Sequence, residues 1–291
     1  PEMPAVLSEN AVARQTLADV DHLYEASSLP RLSTAFDNSA IKPGADVWWA
    51  QAWVLGVSAS LIAALKAEGL RPDAVLGHSF GEFTASLAAK VTTLPQSVEL
   101  AKHRANAVMS HMRTPGGLLS VRAAVHEVDS ILKSAALTVY VTHLNSTRQT
   151  VVAGSRDGIK AAKVLLDSHG LASMSISVPA PFHTPLLTDA EVAFARMSAG
   201  VPMRSPTCGF LSATSVQYLA EPSEIRNSLV RQLTQPVMYL PSIQRMLGEG
   251  FRVFLEVGPN DILTRMNRDI VDSQALCLSL DVPGQPFAER L

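Results

Sequence analysis

Five consecutive residues, Gly77-His78-Ser79-Phe80-Gly81, hold a serine between two glycines directly after the apolar run Ala74-Val75-Leu76. A Gly-X-Ser-X-Gly turn from strand into helix is a nucleophile elbow. Glycines allow the tight turn, the hydroxyl is lifted to the strand tip, and the N–H groups of the next helix converge there. Such a serine is a poor nucleophile until activated, so it needs a base from elsewhere in the chain. The sequence offers eight histidines. His22, His111, His126 and His169 stand among polar or helical residues and read as surface side chains. His103 lies mid-helix and His143 mid-strand, and both read as structural. His78 sits inside the turn, so its ring should diverge from the hydroxyl and line a pocket. His183 stands apart, after the irregular apolar stretch Val178-Pro-Ala-Pro-Phe182. A lone histidine there is either structural or the missing base.

A serine on a sharp turn is useful only if the flanking elements are rigid. Residues 46–70 read as a long helix, with Trp49, Trp53, Val57, Leu61 and Leu65 at helical spacing, ended by Gly69 and Arg71-Pro-Asp. Residues 74–76 read as a short buried strand and 81–89 as a helix. That order predicts a parallel sheet covered by helices. The middle of the chain differs. After the Pro115-Gly-Gly turn come a strand at 118–123, a helix at 125–135, strands at 137–144 and 149–153, a helix at 156–169 and a strand at 173–178. Strand-helix-strand-strand-helix-strand is the ferredoxin-like order. It predicts a small subdomain over 115–178, inserted in a larger α/β unit formed by 1–114 and 179–291. A further strand is expected at 252–257, before Gly258-Pro259.

The 291 residues carry 24 basic and 26 acidic side chains and are 47% hydrophobic, which allows a substantial core and gives no electrostatic case for nucleic acid or an anionic membrane. No uninterrupted apolar run reaches the ~18 residues of a spanning helix, and the N-terminus lacks the basic start and apolar core of a signal peptide. Cys208 and Cys277 are far apart with no metal-ligand spacing around them, so no metal is expected and a reducing cytoplasm is.

Several stretches together resemble the malonyl-CoA:acyl-carrier-protein transacylases and the acyltransferase domains of polyketide and polyunsaturated fatty acid synthases. They run in the family's order: Gly77-His-Ser-Phe-Gly-Glu82; Arg104, 25 residues after the serine; Asn145–Gly154; Ala180-Pro-Phe-His183-Thr-Pro; Gln235-Pro-Val; and Leu255-Glu-Val-Gly-Pro259. The resemblance implies an α/β-hydrolase-like core with a ferredoxin-like insert. By it, Ser79 is the nucleophile and His183 the base. The Phe80 N–H serves the oxyanion, and a backbone carbonyl near Gln232 orients the imidazole in place of a triad carboxylate. Arg104 would bind a malonyl carboxylate, a task suited to a guanidinium fork. Phe182 matches members that use malonyl, and His78 and Asn145 join Arg104 and Phe182 among the substrate-contacting residues.

The activity implied is transfer of malonyl from CoA to the phosphopantetheine thiol of an acyl carrier protein, with no bound cofactor and with neighbouring synthase domains as further partners. A carrier-thioester hydrolase and a non-catalytic carrier-docking domain are the alternatives; a buried Arg104 disfavours a hydrolase of neutral acyl chains. The family's opening strand and Gly-Gln-Gly-X-Gln turn, whose first glutamine gives a second oxyanion N–H, have no counterpart in these residues. The chain is therefore expected to be a fragment of a longer polypeptide or one lacking its first strand.

Overall fold

The computed structural model describes residue 7 and residues 9–37, 46–135, 137–178 and 180–281. The opening Pro1-Glu-Met stretch and Pro179 lie outside the described residues. Asn10 caps helix α1 (Ala11–Ala26), its Oδ1 accepting from the Ala13 N–H at 3.0 Å, and a short α2 (Ser33–Asp37) follows. Asp46 caps α3 (Val47–Ala67) in the same way, through the Trp49 N–H at 2.8 Å. α3 stops three residues before the expected Leu70, because Glu68 closes it and Gly69 turns into the left-handed region at φ +83°. Its most apolar stretch has a mean hydropathy of 1.4, and by length and composition it could cross a membrane. Here 72% of that stretch is buried inside the protein, so it is a core helix. It packs against α1 and against the two helices that follow the elbow, α4 (Gly81–Ala88) and α5 (Leu94–His111).

Strand β1 (Ala74–Leu76) runs into the elbow. The inserted sheet then comprises β2 (Gly116–Val121), β3 (Val139–Ser146), β4 (Gln149–Ser155) and β5 (Ser173–Ile176), with α6 (Val125–Lys133) and α7 (Arg156–Ser168) between them. Its order is β3-β4-β2-β5, antiparallel throughout, which is the ferredoxin-like arrangement. Strand alternation divides its side chains. Leu119, Val121 and Val152 pack on α6 and α7, while Leu118, Val151 and Ala153 turn to the larger unit's core. Both faces are thus covered.

The chain returns through a 3-10 turn at Pro185–Leu187 into α8 (Thr188–Ser198), then β6 (Gly209–Ser212), β7 (Gln217–Tyr218), α9 (Pro222–Arg231), α10 (Tyr239–Gly248), β8 (Val253–Glu256), α11 (Ile262–Val271) and β9 (Leu276–Ser279). Among the described strands, parallel pairing joins β1 to β6 and β8 to β9; β7 adds to β6 antiparallel. Among the described residues the parallel strands therefore form two groups rather than the single sheet expected. Residues of β1 and β8 line one cavity of about 1710 Å³, and the elbow opens into it.

Candidate active site

The elbow is dictated sterically at its first glycine. A Cβ on Gly77 would lie 2.1 Å from the Glu82 nitrogen. At Gly81 an added Cβ meets nothing within 4 Å, so only Gly77 is required by the turn itself. Ser79 takes φ +53°, a left-handed conformation that costs a non-glycine residue energy and that lifts its hydroxyl clear of the backbone. The next N–H groups fold back: Gly81 donates to His78 O at 2.9 Å and Glu82 to Ser79 O at 3.1 Å. The Phe80 N–H donates to no described residue and lies at the N-terminal end of α4.

Ser79 Oγ and His183 Nε2 are 2.7 Å apart. His183 is itself at φ +62°. The 233–235 turn holds it twice: its N–H donates to Leu233 O at 2.8 Å, and ring Nδ1 donates to Gln235 O at 3.0 Å. With Nδ1 carrying the proton, Nε2 offers its lone pair to the serine hydroxyl. Burial, reinforced by the Arg104 charge, lowers the imidazole from 6.5 to about 3, against the support of the Gln235 and Gln232 carbonyls. It is neutral at physiological pH and ready to accept a proton.

The orienting carbonyl is thus Gln235 rather than Gln232, whose carbonyl is a lesser support. Gln232 still lies in the turn closing α9. Gln235 precedes Pro236, which favours extended backbone and carries its carbonyl out of the turn toward the ring. Gln232 works through its side chain: Nε2 donates to Ser79 O at 3.2 Å, and Oε1 accepts from Arg104 at 3.3 Å.

Arg104, on α5, is only 2% exposed. Its Nη1 donates to Gln51 Oε1 at 2.6 Å, while its buried Nε has no partner among the described residues. The guanidinium lies 4.7 Å from the Phe182 ring centroid, 5.6 Å from Phe80 and 5.9 Å from Phe83. Among the described residues no carboxylate pairs with it. Burial alone lowers it from 12.5 to about 9, so it stays charged at neutral pH. The sequence carried a signal for Gln51, since it is a lone polar residue in an otherwise apolar stretch of α3, but that signal alone names no partner.

His78 and Asn145 meet, Nε2 donating to Asn145 Oδ1 at 2.8 Å, and Asn145 Nδ2 donates to Gln149 Oε1 at 2.9 Å. His143, expected to be structural, lies beside the Ser79–His183 pair. Its ring is edge-on to His183, with centroids 4.7 Å apart, and stacks on His78 at 5.3 Å. Burial, with the neighbouring His183 and His78, holds it well below the ordinary histidine range. Two bulges in β3 cause this: the register with β4 slips between Val141 and His143 and again between Leu144 and Ser146. On its other edge the segment 142–144 also pairs with Val237, two residues after Gln235. Bulges re-aim side chains in this way, and a single strand pattern does not reveal them.

An elbow serine hydrogen-bonded to an imidazole, on an α/β core beside a ferredoxin-like insert, is an arrangement chemically suited to acyl transfer. Residues 4–285 match the acyl transferase domain family, and the chain belongs to that family. It is 28% identical over 265 residues to the PKS-NRPS hybrid synthetase acdB of Aspergillus candidus, covering 90% of this chain and 10% of that protein. The chain thus spans about a tenth of that synthetase. It is 27% identical over 242 residues to the malonyl CoA-acyl carrier protein transacylase of Haemophilus influenzae, covering 80% of this chain and 77% of that one. The crystal structure of an acyl-carrier-protein-S-malonyltransferase from Bartonella henselae superposes with a TM-score of 0.88 at 23% identity, covering 99% of this chain and 94% of that one, so the fold is shared.

Proposed function

We propose that this domain moves a malonyl group from CoA to the phosphopantetheine thiol of an acyl carrier protein, through an ester on Ser79. One observation carries the choice of substrate: a buried arginine with no acidic partner among the described residues shares the cavity of the serine–histidine pair. An isolated buried cation is costly, and a ligand carboxylate offsets that cost with a charge-assisted pair. The name of the Haemophilus influenzae relative supports the same substrate and acceptor.

In the first half-reaction the malonyl carboxylate pairs with Arg104, and Ser79 Oγ attacks the thioester carbonyl. The hydroxyl proton passes to His183 Nε2, and the Phe80 N–H donates to the oxyanion. Collapse breaks the C–S bond, and the CoA thiolate takes the proton back from His183. In the second half-reaction the carrier thiol gives its proton to His183 as its sulfur attacks the ester. The new thioester forms, and Ser79 recovers its proton. Phe182, 7% exposed beneath the guanidinium, fills the space a bulkier acyl branch would need. The reaction is assigned to the cytoplasm, where the unpaired thiols Cys208 and Cys277 would stay reduced.

The test is incubation with radiolabelled malonyl-CoA, followed by a chase. Label on Ser79 that is lost in Ser79→Ala and discharged by carrier thiol supports transfer. Discharge by water alone would make the domain a hydrolase, and no labelling would make it a docking module.

A further inference from the structure

His143 has no part in the proton transfers above, yet it is built into the site. The β3 bulges and the pairing with Val237 bring it there, and it lines the cavity. Its tautomer follows from its neighbour. Thr142 Oγ1 donates its single proton to Val151 O at 3.1 Å, so toward His143 Nδ1, 3.0 Å away, it can only accept. Nδ1 therefore carries the hydrogen, and Nε2 presents a bare lone pair. Among the described residues nothing donates to that Nε2, and it is not sealed from the cavity. The other polar side chains nearby are committed: His78 to Asn145, Asn145 to Gln149, His183 to Ser79 and Gln235.

We propose that His143 Nε2 accepts a hydrogen bond from the secondary amide N–H nearest the thiol of the pantetheine arm, and so holds the arm's sulfur at Ser79. The chemistry fits one ring away from the base. That amide nitrogen stands two carbons from the sulfur, and the His143 ring stands 4.7 Å from the His183 ring that contacts Ser79. A lone-pair nitrogen recognises an N–H donor and offers nothing to a simple thiol lacking one. The proposal rests on the acyl-transfer reading. It adds a residue that contacts the arm common to CoA and the carrier.

The experiment uses His143→Phe, which keeps a ring against His78 and His183 but removes the acceptor, and follows discharge of the malonyl-enzyme. N-acetylcysteamine supplies a thiol with one amide, 2-mercaptoethanol a thiol without an amide, and water neither. Discharge by N-acetylcysteamine should fall about tenfold, as expected for one lost hydrogen bond with its donor left unpaired, while the other two stay within about twofold. Equal losses with all three would show that His143 acts through His183, and no loss would show that it does nothing; either overturns the proposal. Wild-type enzyme that takes no label would overturn the acyl-transfer reading, and the proposal with it. Should the variant fail to fold, the wild-type protein gives the answer by ¹⁵N NMR. Titration with S-methyl-N-acetylcysteamine should move the His143 Nε2 resonance, and an unmoved resonance at saturation would refute the contact.

Discussion

Replacing Arg104 with alanine separates the substrate's carboxylate from its thioester. The guanidinium is 2% exposed, held by the amide oxygens of Gln51 and Gln232 and faced by Phe80, Phe83 and Phe182. A malonyl carboxylate entering that pocket without the cation would be desolvated and unpaired, a loss of about 2–5 kcal/mol for a buried charge pair. At 1.4 kcal/mol per decade this is about 30-fold to 4000-fold in kcat/KM for malonyl-CoA. Acetyl-CoA has no carboxylate to lose, and its rate should hold or rise, so the preference inverts. A second effect accompanies the first. The Arg104 charge is, after burial, the largest cause of the lowered His183 basicity. Removing it must raise the imidazole from about 3, so the acid limb of acetyl transfer should move to higher pH in the variant. By the same logic, a malonyl carboxylate paired with Arg104 would neutralise that cation and make His183 a stronger base. Steady-state rates for both thioesters between pH 4 and pH 8 decide the matter. Equal losses for the two substrates, with an unmoved acid limb, would refute the assignment and leave Arg104 a support of the fold.

The lowered His183 also makes a prediction for the unaltered protein: acylation by acetyl-CoA should stay level as pH falls past 6.5, since the free enzyme's imidazole titrates near 3, and a midpoint at 6.5 would show the ring to be solvated. Gly77→Ala should destabilise the fold by about 3 kcal/mol or more, because its Cβ would meet backbone at 2.1 Å, whereas Gly81→Ala, with open space at its Cβ, should be neutral or stabilising by up to about 1 kcal/mol; urea unfolding of the two variants measures the contrast. Glu82 is buried with Oε1 accepting from the Ala213 N–H at 2.7 Å and Oε2 without a partner among the described residues. Burial, opposed by the Ala213 N–H and the Ser212 hydroxyl, raises it from 4.5 to about 7, so it stabilises most below pH 4.5 and loses about 3 kcal/mol as pH rises to 7. Glu82→Gln should remove that dependence, seen as a wild-type-minus-variant stability difference that shifts by this amount between pH 4.5 and pH 8.

The order of elements was legible because each rests on local signals. Asp46 before an apolar stretch starts α3, Gly69 ends it, and Gly77 forces the elbow. The ferredoxin-like unit was legible for the same reason, since short apolar runs bounded by turns mark β2 and β4, whose two faces are both buried. How the parallel strands group was not legible. Pairing of β1 with β6 joins residues more than a hundred positions apart, and no short-range pattern encodes which edge stays open.

The site divides along the same line. Ser79 declares itself because its strain is local: the glycine, the serine and the helix start are contiguous. His183 and Arg104 could be proposed only through the spacing shared with a family, since the strand tip, α5 and the 180–183 loop meet solely in three dimensions. The places of Gln235 and His143 at the site are not legible in the sequence, for a common reason. Gln235 contributes a carbonyl, which every residue possesses, so side-chain identity carries no information about it. His143 contributes a side chain that an ideal strand would place by simple alternation, but two bulges break the alternation. The bulged residues 142–144 also pair with Val237, and Val237 belongs to the segment that orients His183. The insert and the larger unit are therefore stitched together at the base itself. A substitution that relaxed the β3 bulges would disturb His143 and the Gln235 carbonyl together, and catalysis should be more sensitive to residues 142–144 than their distance in sequence from Ser79 or His183 suggests.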